Sequence, residues 1–243
     1  MMNQKYENQK GFWEHAGKIG YNSAMFANEP VAKHVKCKEW ETVMHAAKQL
    51  GLHKDARVLE LGSGDGVFST CYLSPNFKQV DAYEISKAAV KRAQNECKQD
   101  NVKFKVADVT KLEYSLDDFW DGVFLISFLH HAKNFTPTII SRLSKVTSRV
   151  IVVEPNGDNI LRKGLELLPS YKAAGEDSFR LNQLTRIFKD NGFSLQYKKN
   201  INIVPLFCPQ SLLPFLQQLE KIIEPNDSLN PLCTAYVMGF QKD

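Results

Sequence analysis

Three acidic residues stand at the ends of three apolar runs: Glu60 in "VLELGSGDG", Glu84 in "VDAYEIS" and Asp108 in "KVADV". Straight after Glu60 come Gly62, Gly64 and Gly66, with Ser63 between the first two. Glycine at that density costs chain entropy, but it lets the backbone turn sharply and lets a ligand lie against bare main chain. A pyrophosphate would suit the helix N-terminus that normally follows such a loop. Glu60 opposes that, because a carboxylate repels phosphate. The spacing G-x-G-x-G also departs from the dinucleotide pattern G-x-G-x-x-G. Beside a cation, by contrast, a carboxylate at about 4 Å gains roughly 1 kcal/mol in water and about 4 kcal/mol near a protein surface. The loop therefore suits a ligand that carries positive charge. Glu84, at the end of the next run, can accept both hydroxyls of a ribose. Asp108 can accept from an adenine amino group, and Ile85 and Val109 can sandwich its ring.

A second set of residues could handle whatever reacts with that ligand. His130 and His131 leave the next apolar run in "SFLHH", and a histidine titrates near neutrality. Either could act as a general base, or the pair could pack and cap the turn. "VEPNG" follows a fifth run. It reads as a turn, or as the rim of a pocket to which Glu154 and Asn156 would offer substrate contacts. Beyond it, Arg162, Lys163, Tyr171 and Lys172 could read an anionic substrate, though solvated cations are the plainer reading.

These residues must be held by an alternating scaffold. "ARVLELGS", "QVDAYEIS", "VKFKVADV", "DGVFLISF" and "RVIVVEP" read as strands, with helices over "KAAVKRAQNECKQD" and "DSFRLNQLTRIFKDNGF". "SLQYKKNINIV" and "TAYVMGFQK" are late strands. The pattern predicts an α/β fold, a mainly parallel sheet covered on both faces. Ahead of it, residues 1–50 form an N-terminal segment, helical from Trp40 by its apolar spacing. "FWEHAGKIGYNSAMF" there is dense in aromatics, and Trp13 and Tyr21 are candidate cover residues. Residues 51–243 form the main domain, with an apolar, proline-rich insertion at about 205–233 between the last two strands. Leu212, Phe215, Leu216 and Leu219 fall on one helical stripe there. The stripe predicts an inward face that closes a pocket, packs in the core, or contacts a second copy in a homodimer.

The composition narrows the classes. A net charge of +4 over 243 residues, without a dense basic stripe, does not favour nucleic acid. Five scattered cysteines without a Cys-x-x-Cys pair read as free thiols of a reducing, cytoplasmic setting. No His-x-x-x-His pair points to zinc, so no metal is expected. The longest apolar run, "VFLISFL", is far short of the roughly 20 residues that span a bilayer.

The ordered pieces "VLELGSGDG", "VDAYEIS", "KVADV", "FWDGVFLISFLHH" and "VIVVEPNG" resemble the class I S-adenosylmethionine-dependent methyltransferases. The resemblance covers roughly 56–157, and the later helix and two late strands extend it towards the C-terminus. It implies a Rossmann-like seven-stranded sheet whose last strand runs antiparallel, with S-adenosyl-L-methionine, a sulfonium and ammonium cation, as cofactor. Glu60 and Gly62 would serve the methionine end with Ser63, Gly64 and Gly66. Glu84 would serve the ribose, and Asp108 and Val109 the adenine, with Ile85 a further cofactor contact. In related enzymes the aromatic N-terminal segment folds over the cofactor, which makes Tyr21 a candidate contact. "EPN" resembles members that tailor sugars, lipids and other small molecules. The expected reaction is in-line methyl transfer to a small acceptor, at oxygen first and nitrogen second, with an acceptor that is hydrophobic or lipid-linked. A non-catalytic cofactor-binding partner is the alternative. A nicotinamide oxidoreductase ranks third, because Glu60 and the glycine spacing oppose it.

Overall fold

The computed structural model describes residues 2–21, 25–115, 118–168, 171 and 176–242, with side chains from position 11 onward. Two helices come first, α1 (Met2–Ile19) and α2 (Glu29–Gln49). The α2 helix begins eleven residues before Trp40, where the apolar period becomes legible. Its start is set by chemistry rather than by period. The Asn28 side chain accepts from the Val31 amide at 3.1 Å, and Pro30 sits in the first turn.

Seven strands follow: β1 (Arg57–Leu61), β2 (Gln79–Glu84), β3 (Val102–Val106), β4 (Gly122–Ile126), β5 (Arg149–Pro155), β6 (Phe193–Ile201) and β7 (Ala235–Lys242). Their spatial order is β3-β2-β1-β4-β5-β7-β6, and β7 runs antiparallel to both of its neighbours. The sheet is the expected Rossmann-like one. Along β4, Val123 and Leu125 face one apolar core while Phe124 and Ile126 face the other. That two-sided burial is why the strand reads as a continuous apolar run. On the first face lie α4 (Thr136–Leu143) and α6 (Leu181–Lys189), through Ile139, Ile140, Leu184 and Phe188. The second face takes α2, through Val43, Ala46, Ala47 and Leu50. Between them in sequence come α3 (Lys87–Glu96) after β2 and the short α5 (Ile160–Leu165) after β5.

The segment between β6 and β7 carries α7 (Leu213–Ile223), and the inward-facing stripe is observed only in part: Leu216 packs against Val31 and Val35 and Leu219 is half-buried, while Leu212 and Phe215 face out. Phe215 is 62% exposed, Ile222 is 66% exposed and Leu212 is also exposed. The helix is rotated so that Leu213 and Glu220 are the buried positions. Glu220 explains the rotation. Its carboxylate takes the Lys38 ammonium and the His34 ring (2.8 Å) from α2 and the Ile203 amide at 3.0 Å. These partners hold its carboxyl below the usual range against the effect of burial. A charged anchor set the face of this helix, and its largest apolar side chains were left outside.

Candidate functional site

The three loop glycines have φ of +77°, +55° and +76° at 62, 64 and 66. Side chains other than glycine rarely take that left-handed conformation, so the alternation is a backbone requirement. Their surroundings separate their roles. Gly62 and Gly64 border cavities, and a Cβ on Gly62 would stand 2.8 Å from the Phe128 ring. Gly66 borders neither. A Cβ there would meet Phe104 at 2.6 Å and Ala93 at 2.8 Å, so Gly66 allows the loop to press on β3 and α3 rather than on a ligand.

The loop is tied to the end of β2. Gly64 N–H donates to Glu84 Oε2 at 3.0 Å, and Ser86 N–H donates to Oε1 at 2.9 Å. Burial raises the Glu84 pKa, and these backbone donors oppose the rise. Glu60 is only 2% exposed and accepts from the Ser69 hydroxyl. Burial pushes its pKa up to about 7, Ser69 and Lys36 oppose this, and Glu84 and Asp65 add to it. Asp108 is turned towards its own loop, accepting from the Thr110 amide at 3.1 Å and hydroxyl at 2.6 Å. It borders neither cavity, whereas its neighbours Ala107 and Val109 line one.

Two cavities meet here. A smaller one of about 80 Å³ lies among Glu84, Ile85, Val109, Phe128 and Ala132. A larger one of about 370 Å³ runs from the glycine loop past α2 to the segment after β6. Trp13, Tyr21, Gly62, Ser127 and His131 border both. Trp13 stacks on Tyr21 at 5.6 Å and meets the His131 ring edge-on at 4.6 Å. Ser127, at the exit of β4, holds φ +51°, and such strain clusters at functional sites.

The two histidines differ in state. His130 Nδ1 donates to Glu154 Oε2 at 2.7 Å, and Glu176 lies 3.6 Å from Nε2. Burial lowers its pKa, but the two carboxylates outweigh this and carry it up to about 9. The carboxylates thus favour the imidazolium form of His130, which suits a proton base less than His131 does. Burial and the charge on His130 push the His131 pKa well below the ordinary value. His131 is neutral, and its Nδ1 has no hydrogen-bond partner among the described residues.

Of "VEPNG", Pro155 lines the larger cavity, but Glu154 and Asn156 stand behind it. Glu154 is fully buried and accepts from the amides of Phe128 (3.0 Å), Leu129 (2.7 Å) and His130 (3.1 Å), so it shapes the loop that bears the histidines. Asn156 donates to the carbonyls of Cys233 (2.9 Å) and Asn230 (3.2 Å) and fixes the return into β7. Neither lines a cavity, so the expected substrate contacts are not observed there. Arg162 pairs with Glu176 and Lys163 with Glu166 at 2.8 Å, and Arg162 also lines the larger cavity. Tyr171 lines the larger cavity, and Lys172 lies outside the described residues. His130, His131 and Glu176 bring ligand-type atoms within 4.8 Å of one another, although Arg162 already occupies Glu176 Oε2. Sequence reading passed over Lys36 and Glu39, which reach the larger cavity from α2. Lys36 lies 5.5 Å over the Trp40 ring near Asp65, Glu39 and Glu60, and burial lowers its pKa.

Residues 58–149 match the family profile described as a methyltransferase domain. That stretch, less than half of the chain, is similar to a methyltransferase domain, and the seven-stranded sheet that contains it has the class I methyltransferase fold. Solved structures of this fold hold S-adenosylmethionine or its product SAH. No curated protein matches the sequence. Among solved structures, magnesium protoporphyrin IX methyltransferase from Synechocystis PCC 6803, with bound SAH, is similar with a TM-score of 0.60 at 17% identity, covering 89% of both chains. An S-adenosylmethionine dependent methyltransferase from Mesorhizobium loti gives 0.61 at 13% identity, covering 84% of this chain and 97% of its own. The cyclase SpnF gives 0.61 at 15% identity, covering 84% and 80%. At such identities the likeness is one of fold. The cyclase among them illustrates that a fold hosts more than one reaction, so residues beyond the methyltransferase sheet must define the acceptor.

Proposed function

We propose that the methyltransferase acts on a small, largely apolar acceptor, at oxygen first and nitrogen second. One observation carries this reading. The larger cavity starts at the glycine loop beside a neutral His131 and leaves through an apolar rim of Leu161, Phe207 and Leu232, which are 74%, 56% and 45% exposed. That rim suits a hydrophobic or lipid-linked molecule better than a sugar or an anion.

The residues present fit the cofactor. Ser63 Oγ and the Tyr21 hydroxyl are buried without a partner among the described residues, beside the space left by Gly62 and Gly64. Glu60 would hold the ammonium and Lys36 the carboxylate of the methionine end. Glu84 would take the ribose, and Ile85, Val109 and Phe128 the adenine, with Asp108 beside them. Bound there, S-adenosylmethionine supplies an electrophilic methyl group. Trp13 and Tyr21, on the N-terminal segment 1–50, act as a cover that excludes water. His131 takes the acceptor's proton at Nδ1, a role worth roughly 10²- to 10⁴-fold in rate. His130 and Glu154 keep its loop in place.

The test pairs binding with turnover. S-adenosylhomocysteine should bind by calorimetry, and Glu84→Ala should weaken it by about 1.5–3 kcal/mol. Labelled S-adenosylmethionine should then pass its methyl group to an apolar extract, and His131→Asn should reduce transfer about 10²-fold or more at unchanged cofactor affinity. Tight cofactor binding without transfer to any acceptor would favour the alternative, a non-catalytic binding partner.

A further inference from the structure

Residues 200–219 carry no charge, and neither do residues 228–241. Both stretches reach the mouth of the larger cavity, the first at Phe207 and the second at Leu232. Leu161, on α5, forms the third side of that mouth. The α5 side is joined to Leu232 through Asn159. Its side chain caps α5 by accepting from the Arg162 amide at 3.0 Å and donates to the Leu232 carbonyl at 3.2 Å. The apolar surface continues past the mouth. Ile160 is 82% exposed and Leu167 is 70% exposed, and neither lines the cavity. The chain keeps turning beyond Leu165, with the Leu167 amide donating to the Gly164 carbonyl at 3.2 Å. Seven residues make close to two helical turns, so Ile160 and Leu167 share one outer face. The cations of α5 are engaged elsewhere: Arg162 pairs with Glu176, and Lys163 donates to Glu166 and to the Ser178 carbonyl at 3.0 Å. Nor is Phe207 on a loose loop. The Cys208 amide donates to the Pro205 carbonyl at 2.9 Å, and the Ala27 amide to the Leu206 carbonyl at 3.0 Å. Val204 and Cys208 are buried with Val31 and Val35. The turn that holds its neighbours in the core holds the Phe207 ring in water. Large apolar side chains fixed in water around a cavity mouth mark a surface that meets something apolar.

We propose that this rim docks on a lipid bilayer, and that the acceptor passes from the acyl-chain region straight into the larger cavity. The proposal rests on the larger cavity being the acceptor site. The mouth decides between occupants. A second copy or a protein partner seated on Leu161, Phe207 and Leu232 would close the opening that an apolar acceptor must use. A bilayer covers the same side chains and leaves the opening facing the phase in which such a molecule dissolves. The two uncharged stretches set the mode of attachment. They hold no Lys or Arg to draw them to anionic headgroups, so binding comes from buried apolar area.

Flotation of the full chain with phosphatidylcholine vesicles, at saturating S-adenosylhomocysteine, is the test. The chain should float with neutral vesicles, and replacing about a third of the lipid by phosphatidylglycerol should change the partition less than about threefold. Ile160→Ser together with Leu167→Ser removes apolar area that lies outside the cavity. This double variant should bind vesicles at least about tenfold more weakly, with melting temperature and S-adenosylhomocysteine affinity unchanged. Phe207→Trp keeps a large ring at the mouth, and lipids brominated on the acyl chain should quench its fluorescence beyond the quenching of the wild type. Absence of flotation with neutral vesicles overturns the proposal. So does flotation that needs anionic lipid and is lost at about 0.5 M salt. Full vesicle binding by the double serine variant overturns it as well. A mass by light scattering that halves in that variant, without vesicle binding by the wild type, assigns the face to a second copy instead. Methyl transfer to an apolar extract dispersed in detergent is read alongside. Transfer without vesicle binding sinks the docking alone, and vesicle binding without transfer to any acceptor sinks the acceptor reading alone.

Discussion

A carboxylate whose pKa is pushed up to about 7 is half acid and half ion at neutral pH, and Glu60 is in that position. A cationic ligand favours the ion, so binding of S-adenosylmethionine should release a proton from Glu60. Affinity should then fall as pH drops below 7, by at most about tenfold per pH unit. Calorimetry between pH 8 and pH 5.5 reads the slope, and Glu60→Gln should flatten it. A flat wild-type profile would mean that Glu60 stays in one state throughout. Glu60 and Glu84 were legible in the sequence because each ends an apolar strand, where an acid has no packing role. Lys36, Glu39 and Asn202 were not. Lys36 and Glu39 reach the cavity from α2, and Asn202 is buried just after β6; no local pattern shows that these elements meet. Glu154 misled in the opposite way. Its place at a strand end was read correctly, but its lone pairs face inward to three backbone amides.

At the level of elements, α1 packs along α3 and is tied to its N-terminus. Glu14 accepts from the Ser86 hydroxyl at 2.8 Å, and Ser86 in turn caps α3 by accepting from the Ala89 amide at 3.1 Å. A Cβ on Gly17 would stand 2.6 Å from Ser86 Oγ and 2.8 Å from the Ala89 nitrogen, which is backbone and cannot give way. Gly17 thus lets α1 lie directly on the turn that follows Glu84. Gly17→Val should lift α1, and with it Trp13 and Tyr21, off the cavity. The expected result is S-adenosylhomocysteine release at least about tenfold faster by stopped-flow, with a melting temperature lowered by only about 2–4 °C, because the sheet is untouched. Unchanged release would show that the helix covers nothing. The seven strands were readable from their apolar runs and turn residues, and the existence of the insertion helix from its period. Its orientation was not, because the pairing of Glu220 with Lys38 joins residues far apart in the chain.

The whole molecule is closed by its last strand. Since β7 lies between β5 and β6, it pairs with β5 from Ala235 to Gln241 and with β6 along nearly its full length. A chain stopped after Thr234 should therefore lose more than an edge. It should fail to melt cooperatively and should scatter light on standing, and a soluble truncated chain that still binds S-adenosylhomocysteine would contradict this. The same geometry sets a timetable for synthesis. A ribosome adds about 5–20 residues per second, and the parts made first generally fold first. The neighbours β1, β4 and β5 can assemble early, but the far side of β5 must wait as an unpaired row of valine and isoleucine, a surface that invites foreign strands. The β6 strand, made before β7, has no sheet to join during that interval. For this chain the hazardous moment in the cell is thus the pause before its final strand arrives, and slowing translation within the insertion would lengthen that pause and raise the demand for chaperones.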